Sequence, residues 1–329
     1  MQDVLLAPEA TIAAPRAADR VSTLVVRRSE WVVLAFLVYA ATAGCFLPVG
    51  PAVRERVLVV NAAVSVAYYF LIRGDSRRPR LALSVIRDWL PLALILLAYR
   101  EMGWFALPHQ GHPLESHWVV WDRLFLRGGG KLLIESLGPV VPSILEISYA
   151  LVYALAPFSL VVLYLYGRRE PADRFLLIFS LGVLMCYAQF PFWPSDPPRV
   201  VFFGEDFPAY DTIFRRLNWW MLGNYGIHTS VFPSAHVAGA FAAAFGMRRA
   251  LPEHKWVHRV LVVIAALIAA ATVYGRYHYL ADACAGFVMA AIAVAAAWLT
   301  HNISLSPRPA ANRPQPLGYD GGVFDALRE

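Results

Sequence analysis

Two short stretches of this 329-residue chain carry side chains that chemistry can use. The first is Val231-Phe232-Pro233-Ser234-Ala235-His236, the second Tyr274-Gly275-Arg276-Tyr277-His278-Tyr279-Leu280-Ala281-Asp282. His278 and Asp282 stand four residues apart, so on a helix they share a face and can touch. A carboxylate in that place binds one ring N–H, fixes the tautomer and raises the basicity of the other nitrogen. Pro233 and Ser234 suit the entry and cap of a helix, and Ser234 is a candidate substrate-binding residue there. The unpaired N–H groups and positive dipole end of such a helix attract a phosphate. His236, just inside it, is placed to deliver a proton to a leaving oxygen. Arg199, in Asp196-Pro197-Pro198-Arg199, and Arg276 are candidates for forked contacts to phosphate oxygens.

Plainer readings apply to other polar residues. A single histidine at a membrane boundary is usually hydrogen-bonded or solvated, and His109, His112, His117 and His228 are read that way. No third and fourth ligand follows His278 and Asp282 at a usual spacing, so no metal is expected. Ser234 lies outside G-x-S-x-G and other hydrolase frames, which argues against it as a nucleophile. Glu146, Asp88 and Arg87 fall near expected helix ends, where pairing or snorkelling is the default.

The elements that must position these groups are membrane helices. The chain is 58% hydrophobic and 16% charged, with a mean hydropathy of +0.51. Soluble domains carry roughly a quarter charged residues, so this chain cannot cover a globule with polar surface. Its three cysteines all fall in apolar runs, which excludes a disulfide scaffold and a thiolate zinc cluster. Apolar segments near 31–49, 56–73, 82–100, 143–166, 174–192, 233–250, 258–275 and 280–300 each approach the roughly 20 residues that span a bilayer. The fold class is therefore all-α, a polytopic bundle of about eight transmembrane helices. The runs are continuous rather than alternating, which excludes a barrel. A polar tail (1–29) precedes the transmembrane catalytic domain (30–305), and a flexible tail (306–329) follows it.

The formal charge is +6, but the arginines cluster between apolar runs rather than on one folded face. Arg73, Arg77, Arg78 and Arg80, then Arg168, Arg169 and Arg174, then Arg248, Arg249, Lys255 and Arg259 follow the second, fourth and sixth spans. That pattern fits loops held against anionic lipid headgroups and not nucleic acid. It places both termini in the cytoplasm of a multi-pass plasma (inner) membrane protein. The connections near 101–142 and 191–232 then lie outside, and their Trp, Tyr and Pro content suits the headgroup boundary. Part of the first, around 117–137, is amphipathic and is expected to lie flat. His236 and His278 are 42 positions apart, enough for two spans and a short turn, so both emerge on the outer side.

With these residues in place the chain resembles the type-2 phosphatidic acid phosphatase superfamily of integral membrane enzymes. Pro233, Ser234 and His236 match its Pro-Ser-x-His element, and His278 and Asp282 its His-x-x-x-Asp element. The family's usual Arg six residues before that second histidine is Thr272 here. Its first motif, a Lys followed at a distance by Arg-Pro, is not evident. Both departures resemble the branch of inositol phosphorylceramide and sphingomyelin synthases. So do His278-Tyr279, the stretch from Trp121-Asp122-Arg123-Leu124-Phe125 through Gly128 to Tyr149, and Pro194-Ser195 before Asp196. The resemblance covers roughly 85–300.

It implies a six-helix phosphatase-like core and a ping-pong reaction. His278 would attack phosphorus, oriented by Asp282, while His236 would protonate the departing alcohol and later activate the acceptor. Ser234, Arg199 and Arg276 would surround the phosphate, and no cofactor or metal is implied. The substrate would be a membrane phospholipid or lipid phosphate, met at the extracytoplasmic face. The acceptor would be water or an alcohol, with headgroup transfer of the inositolphosphotransferase kind favoured by the branch. The rival class is a solute or lipid transporter without covalent chemistry; transporters commonly show internal repeats and polar residues at midplane, and this sequence shows neither.

Overall fold

The computed structural model describes residues 24–105, 111–227 and 231–302. The second tail, His109, His228 and most of the first tail lie outside them. Among the described residues every regular element is helical: α1 (Arg28–Phe46), α2 (Pro51–Arg77), α3 (Leu81–Trp104), α4 (Pro113–Phe125), α5 (Lys131–Glu135), α6 (Val140–Leu165), α7 (Ala172–Tyr187), α8 (Pro198–Val201), α9 (Ile213–Tyr225), α10 (Ala235–Ala250), α11 (Lys255–Tyr274) and α12 (Leu280–Asn302).

Among the described residues seven helices are long and apolar enough to cross a membrane: α1, α2, α3, α6, α7 with the turn running on to Phe192, α11 and α12. The one expected span not among them, 233–250, is α10. It has 16 residues, about 24 Å of helix, against a hydrocarbon core of about 30 Å. It is a central helix enclosed by α6, α7, α11 and α12.

Its sequence explains why it sits there. Ala238, Gly239, Ala240, Ala242, Ala243, Ala244 and Gly246 are all buried, and such small residues let membrane helices approach closely. A Cβ on Gly182 of α7 would lie 2.9 Å from the Ala242 Cβ, and one on Gly246 would lie 3.0 Å from the Phe175 ring.

The ends of the bundle differ. At one end Arg87 of α3 donates to both Glu30 carboxylate oxygens and to Asp75, each at 2.7 Å. Asp88 beside it accepts from Arg27 at 2.5 Å, Arg169 at 2.7 Å and the Tyr164 hydroxyl at 2.5 Å. Pairing, the default for Arg87 and Asp88, is thus what the fold uses, and it ties α1, α2, α3 and α6 together. The arginine clusters meet at this end, where Arg168 pairs with Glu253 at 2.9 Å and Arg174 donates to the Arg249 carbonyl at 3.2 Å.

The other end is covered by the two long connections. The amphipathic stretch expected around 117–137 forms α4, a wide turn through Gly129 at φ 109°, and α5. Leu124, Leu132 and Leu133 are exposed, while Glu115, Val119 and Asp122 face inward. Arg127 grips Asp206 at 2.8 and 3.0 Å, Arg123 bonds Glu205, and Lys131 donates to the Phe207 carbonyl at 2.6 Å. These bonds fold one connection over the other above the mouth of α10.

Candidate active site

The antiparallel hairpin of α10 and α11 brings the two sequence stretches together. After α11, Arg276 adopts a left-handed φ of 64°, and the N–H groups of Tyr277 and His278 both donate to the Thr272 carbonyl, at 2.9 and 3.0 Å. This tight turn carries His278 back across the start of α10. The Ser234 N–H donates to the Asp282 carbonyl at 3.0 Å, which locks α12 to the same point.

The histidines meet edge to edge. His278 Nε2 lies 3.4 Å from His236 Nδ1, with ring centroids 5.4 Å apart. On its far side, His278 Nδ1 is 3.1 Å from the Val231 carbonyl and 3.4 Å from Asp282 Oδ2. That same Oδ2 accepts the Tyr279 N–H at 2.9 Å, so the carboxylate is held against the ring. Two acceptors at Nδ1 favour the tautomer with its proton there, leaving the Nε2 lone pair directed at His236. Burial, reinforced by the Arg199 charge and opposed by the Val231 bond, pushes the His278 pKa down to about 3. The imidazole is therefore neutral and nucleophilic near neutral pH.

His236 is fixed by aromatic residues that the sequence reading did not single out. Tyr149 stacks on it with centroids 4.9 Å apart and on Tyr277 at 4.2 Å, and the Tyr153 hydroxyl lies 3.4 Å from His236 Nε2. Buried Glu146 anchors the stack, accepting from Tyr277 at 2.6 Å, Asn218 at 2.8 Å and Arg215 at 3.0 Å. Glu146, Tyr149 and Tyr153 follow an i, i+3, i+7 spacing, one face of a helix. That spacing was the available signal.

The two arginine candidates part company. Arg199 shares one cavity wall with both histidines. Its backbone N–H donates to the Arg276 carbonyl at 3.1 Å and its Nη1 to the Tyr277 carbonyl at 3.3 Å. Arg276 lies elsewhere. Its side chain is fully buried and bonds Asp122 Oδ2 at 2.5 Å, while Asp122 Oδ1 accepts the Leu280 N–H at 2.8 Å. Arg276 is not among the residues that line the cavity; it braces the turn through Asp122, while its Nε and Nη2 have no hydrogen-bond partner among the described residues. Ser234 is likewise buried and outside the cavity wall. Its hydroxyl caps α10 by accepting the Val237 N–H at 3.4 Å, as the capping expectation has it.

His112 and His117 keep local partners, Glu115 at 3.2 Å and the Pro113 carbonyl at 2.7 Å. Among the described residues no group of three or more His, Cys, Asp and Glu side chains converges as a metal site.

The histidine pair stands at the head of a cavity of about 460 Å³. Its walls are otherwise apolar and aromatic, from Tyr99 to Trp89 on α3, Tyr149 to Pro157 on α6, and Phe179, Val183 and Tyr187 on α7. Fold and site together define a helical membrane protein with a paired-imidazole pocket that Arg199 helps to line and that opens into an apolar slot. Residues 135–296 match the PAP2 superfamily, a segment that holds Arg199, His236, His278 and Asp282 and leaves α1 to α4 outside. No curated protein and no solved structure matches the chain.

Proposed function

We propose that this protein is an integral membrane lipid phosphatase or phosphotransferase working through a phosphohistidine. One observation carries the reading: two imidazoles in contact, one backed by a carboxylate, beside Arg199 at the head of an apolar slot. His278 Nε2 forms a bond to phosphorus as the bond from phosphorus to the lipid or headgroup oxygen breaks. His236, in the imidazolium form that the charge of a bound phosphate favours, gives its Nδ1 proton to that leaving oxygen and is left neutral. Arg199 neutralises the phosphoryl oxygens, and Asp282 with the Val231 carbonyl holds the charge and orientation of His278. In the second half His236 takes a proton from the acceptor, whose oxygen displaces His278.

The acceptor favoured here is an alcohol, as in headgroup transfer of the inositolphosphotransferase kind, with water as the phosphatase alternative. The arginine-rich end of the bundle supports a cytoplasmic placement of both termini in the plasma (inner) membrane and an extracytoplasmic site.

The test is covalent trapping. Purified protein given a lipid labelled in its phosphoryl group acquires an acid-labile, base-stable label that His278→Ala abolishes. Product analysis with and without an added lipid alcohol as acceptor then separates transfer from hydrolysis. Labelling that survives His278→Ala overturns the assignment.

A further inference from the structure

The end of the bundle opposite the histidines has a cavity of its own, of about 580 Å³. Arg28 at the start of α1, Arg174 in the first turn of α7 and Arg249 in the last turn of α10 line it. Neighbouring arginines are paired: Arg27 and Arg169 with Asp88, Arg168 with Glu253. Among the described residues these three guanidinium groups pair with no carboxylate. Their one side-chain bond runs from Arg174 to the Arg249 carbonyl at 3.2 Å.

Two carboxylates share the wall, Glu170 and Asp173. Asp173 is occupied by α1: its Oδ1 accepts the Ser29 N–H at 3.0 Å and the Ser29 hydroxyl at 2.5 Å, and its Oδ2 accepts the Arg28 N–H at 3.3 Å. It thus satisfies the open N–H groups of that helix start. Three cations therefore face one uncommitted anion, Glu170. The balance is short of negative charge.

Beyond the arginines the cavity turns apolar. Leu177 and Ile178 of α7 form its floor, and Val294, Ala297 and Trp298 of α12 its side. α1 and α12 both pack on α7 but scarcely on each other, so the space between them is a cleft along α7. The floor continues through Leu181 and Met185, which stay partly exposed beside Val32 and Val294. From Arg174 to Met185 is eleven residues, about 16 Å, or roughly half of a 30 Å hydrocarbon core. A water-borne anion makes no use of such a floor. A lipid of the adjoining leaflet does.

We propose that this cleft binds an anionic glycerophospholipid, its phosphate among Arg28, Arg174 and Arg249 and its chains along α7 between α1 and α12. Forked guanidinium contacts suit the phosphate oxygens, and the bound lipid joins two helices that the protein itself leaves apart. The site is separate from the histidine cavity and independent of the reaction proposed there.

The test uses the full-length protein in phosphatidylcholine nanodiscs that contain a small fraction of phosphatidylglycerol with a diazirine midway along one chain. After irradiation, adducts should concentrate on residues 177–185 and 290–298. Unlabelled phosphatidylglycerol should displace the probe at least about tenfold more effectively than phosphatidylcholine of the same chains, and glycerol 3-phosphate should not displace it. Adducts spread evenly over the bilayer-facing helices, or equal displacement by the two lipids, overturn the proposal. Displacement by glycerol 3-phosphate assigns the arginines to a soluble anion and overturns the lipid. Each basic side chain near an anionic surface strengthens binding roughly fivefold. Arg28→Gln, Arg174→Gln and Arg249→Gln together should therefore weaken labelling roughly 100-fold. Arg77→Gln, Arg78→Gln and Arg80→Gln together remove the same charge from the connection after α2 and should weaken it less than about threefold. Equal losses in the two triple variants reduce the effect to general surface charge and overturn the site. Should the first triple variant not fold, Arg249→Gln alone should weaken labelling roughly fivefold, and unchanged labelling overturns the site.

Discussion

Replacing Arg199 and Arg276 one at a time separates binding of phosphate from bracing of the turn. Arg199→Ala removes a charged donor from the cavity wall. A hydrogen bond to a charged group contributes about 1.5–3 kcal/mol, which predicts a roughly 10- to 150-fold fall in kcat/KM. Its structural cost is small, because its side-chain bond to Tyr277 is a long 3.3 Å contact and its backbone bond to Arg276 is kept. Arg276→Met does the reverse. Asp122 is fully buried, and breaking a buried ion pair on one side costs about 3–5 kcal/mol, a large share of the roughly 5–15 kcal/mol that holds a domain together. The double change Asp122→Asn with Arg276→Met restores much of that, since no uncompensated charge remains. Thermal unfolding in nanodiscs reads the stability, and initial rates on a lipid phosphate read the activity. Wild-type kcat/KM in Arg199→Ala, together with a stable but inactive Arg276→Met, would refute the assignment of the two arginines.

Asp282→Asn keeps an acceptor for the Tyr279 N–H but removes the charge behind His278. Turnover should drop about 100-fold or more with lipid affinity nearly unchanged; parallel losses in both would point to a folding defect. The pH profile follows from the direction of the His278 shift. Its pKa moves from 6.5 to about 3, so the neutral ring persists down to about pH 5 and is lost only as the pH falls toward 3. Single-turnover labelling should therefore show no decline near pH 6.5 on acidification, and such a decline would contradict the buried, neutral imidazole. Gly286→Ala puts a Cβ 2.4 Å from the Ser234 carbonyl oxygen and 3.2 Å from the Ala238 nitrogen, which forces α12 off α10. Both thermal midpoint and activity should fall, whereas Gly223→Ala, with nothing within 4 Å, leaves both unchanged.

The membrane character and the chemical pair were legible in the linear chain for a physical reason. Hydropathy is a local sum, so runs such as 82–100 and 280–300 declare themselves without knowledge of their neighbours. The spacing of His278 and Asp282 is likewise local, and the length between His236 and His278 is that of a hairpin. The central position of α10 was not legible, because an alanine-rich run of the right polarity reads the same whether lipid or protein surrounds it. Only its 16 residues and its glycine contacts with α7 and α12 reveal an enclosed helix.

What the sequence by itself determined is the kind of solvent this chain folds in, the approximate limits of its long apolar helices, and a pair of imidazoles that a hairpin brings together. What only the tertiary structure decided is which arginine lines the cavity beside the histidines, which tyrosines hold His236, and that α3 and α6 diverge to leave a slot. Those are matters of orientation. Arg199 and Arg276 are identical side chains, yet one lines the cavity and the other gives its guanidinium to Asp122. A residue's type is written in the chain, but the direction it faces is set by backbone dihedrals and by helices far away in sequence.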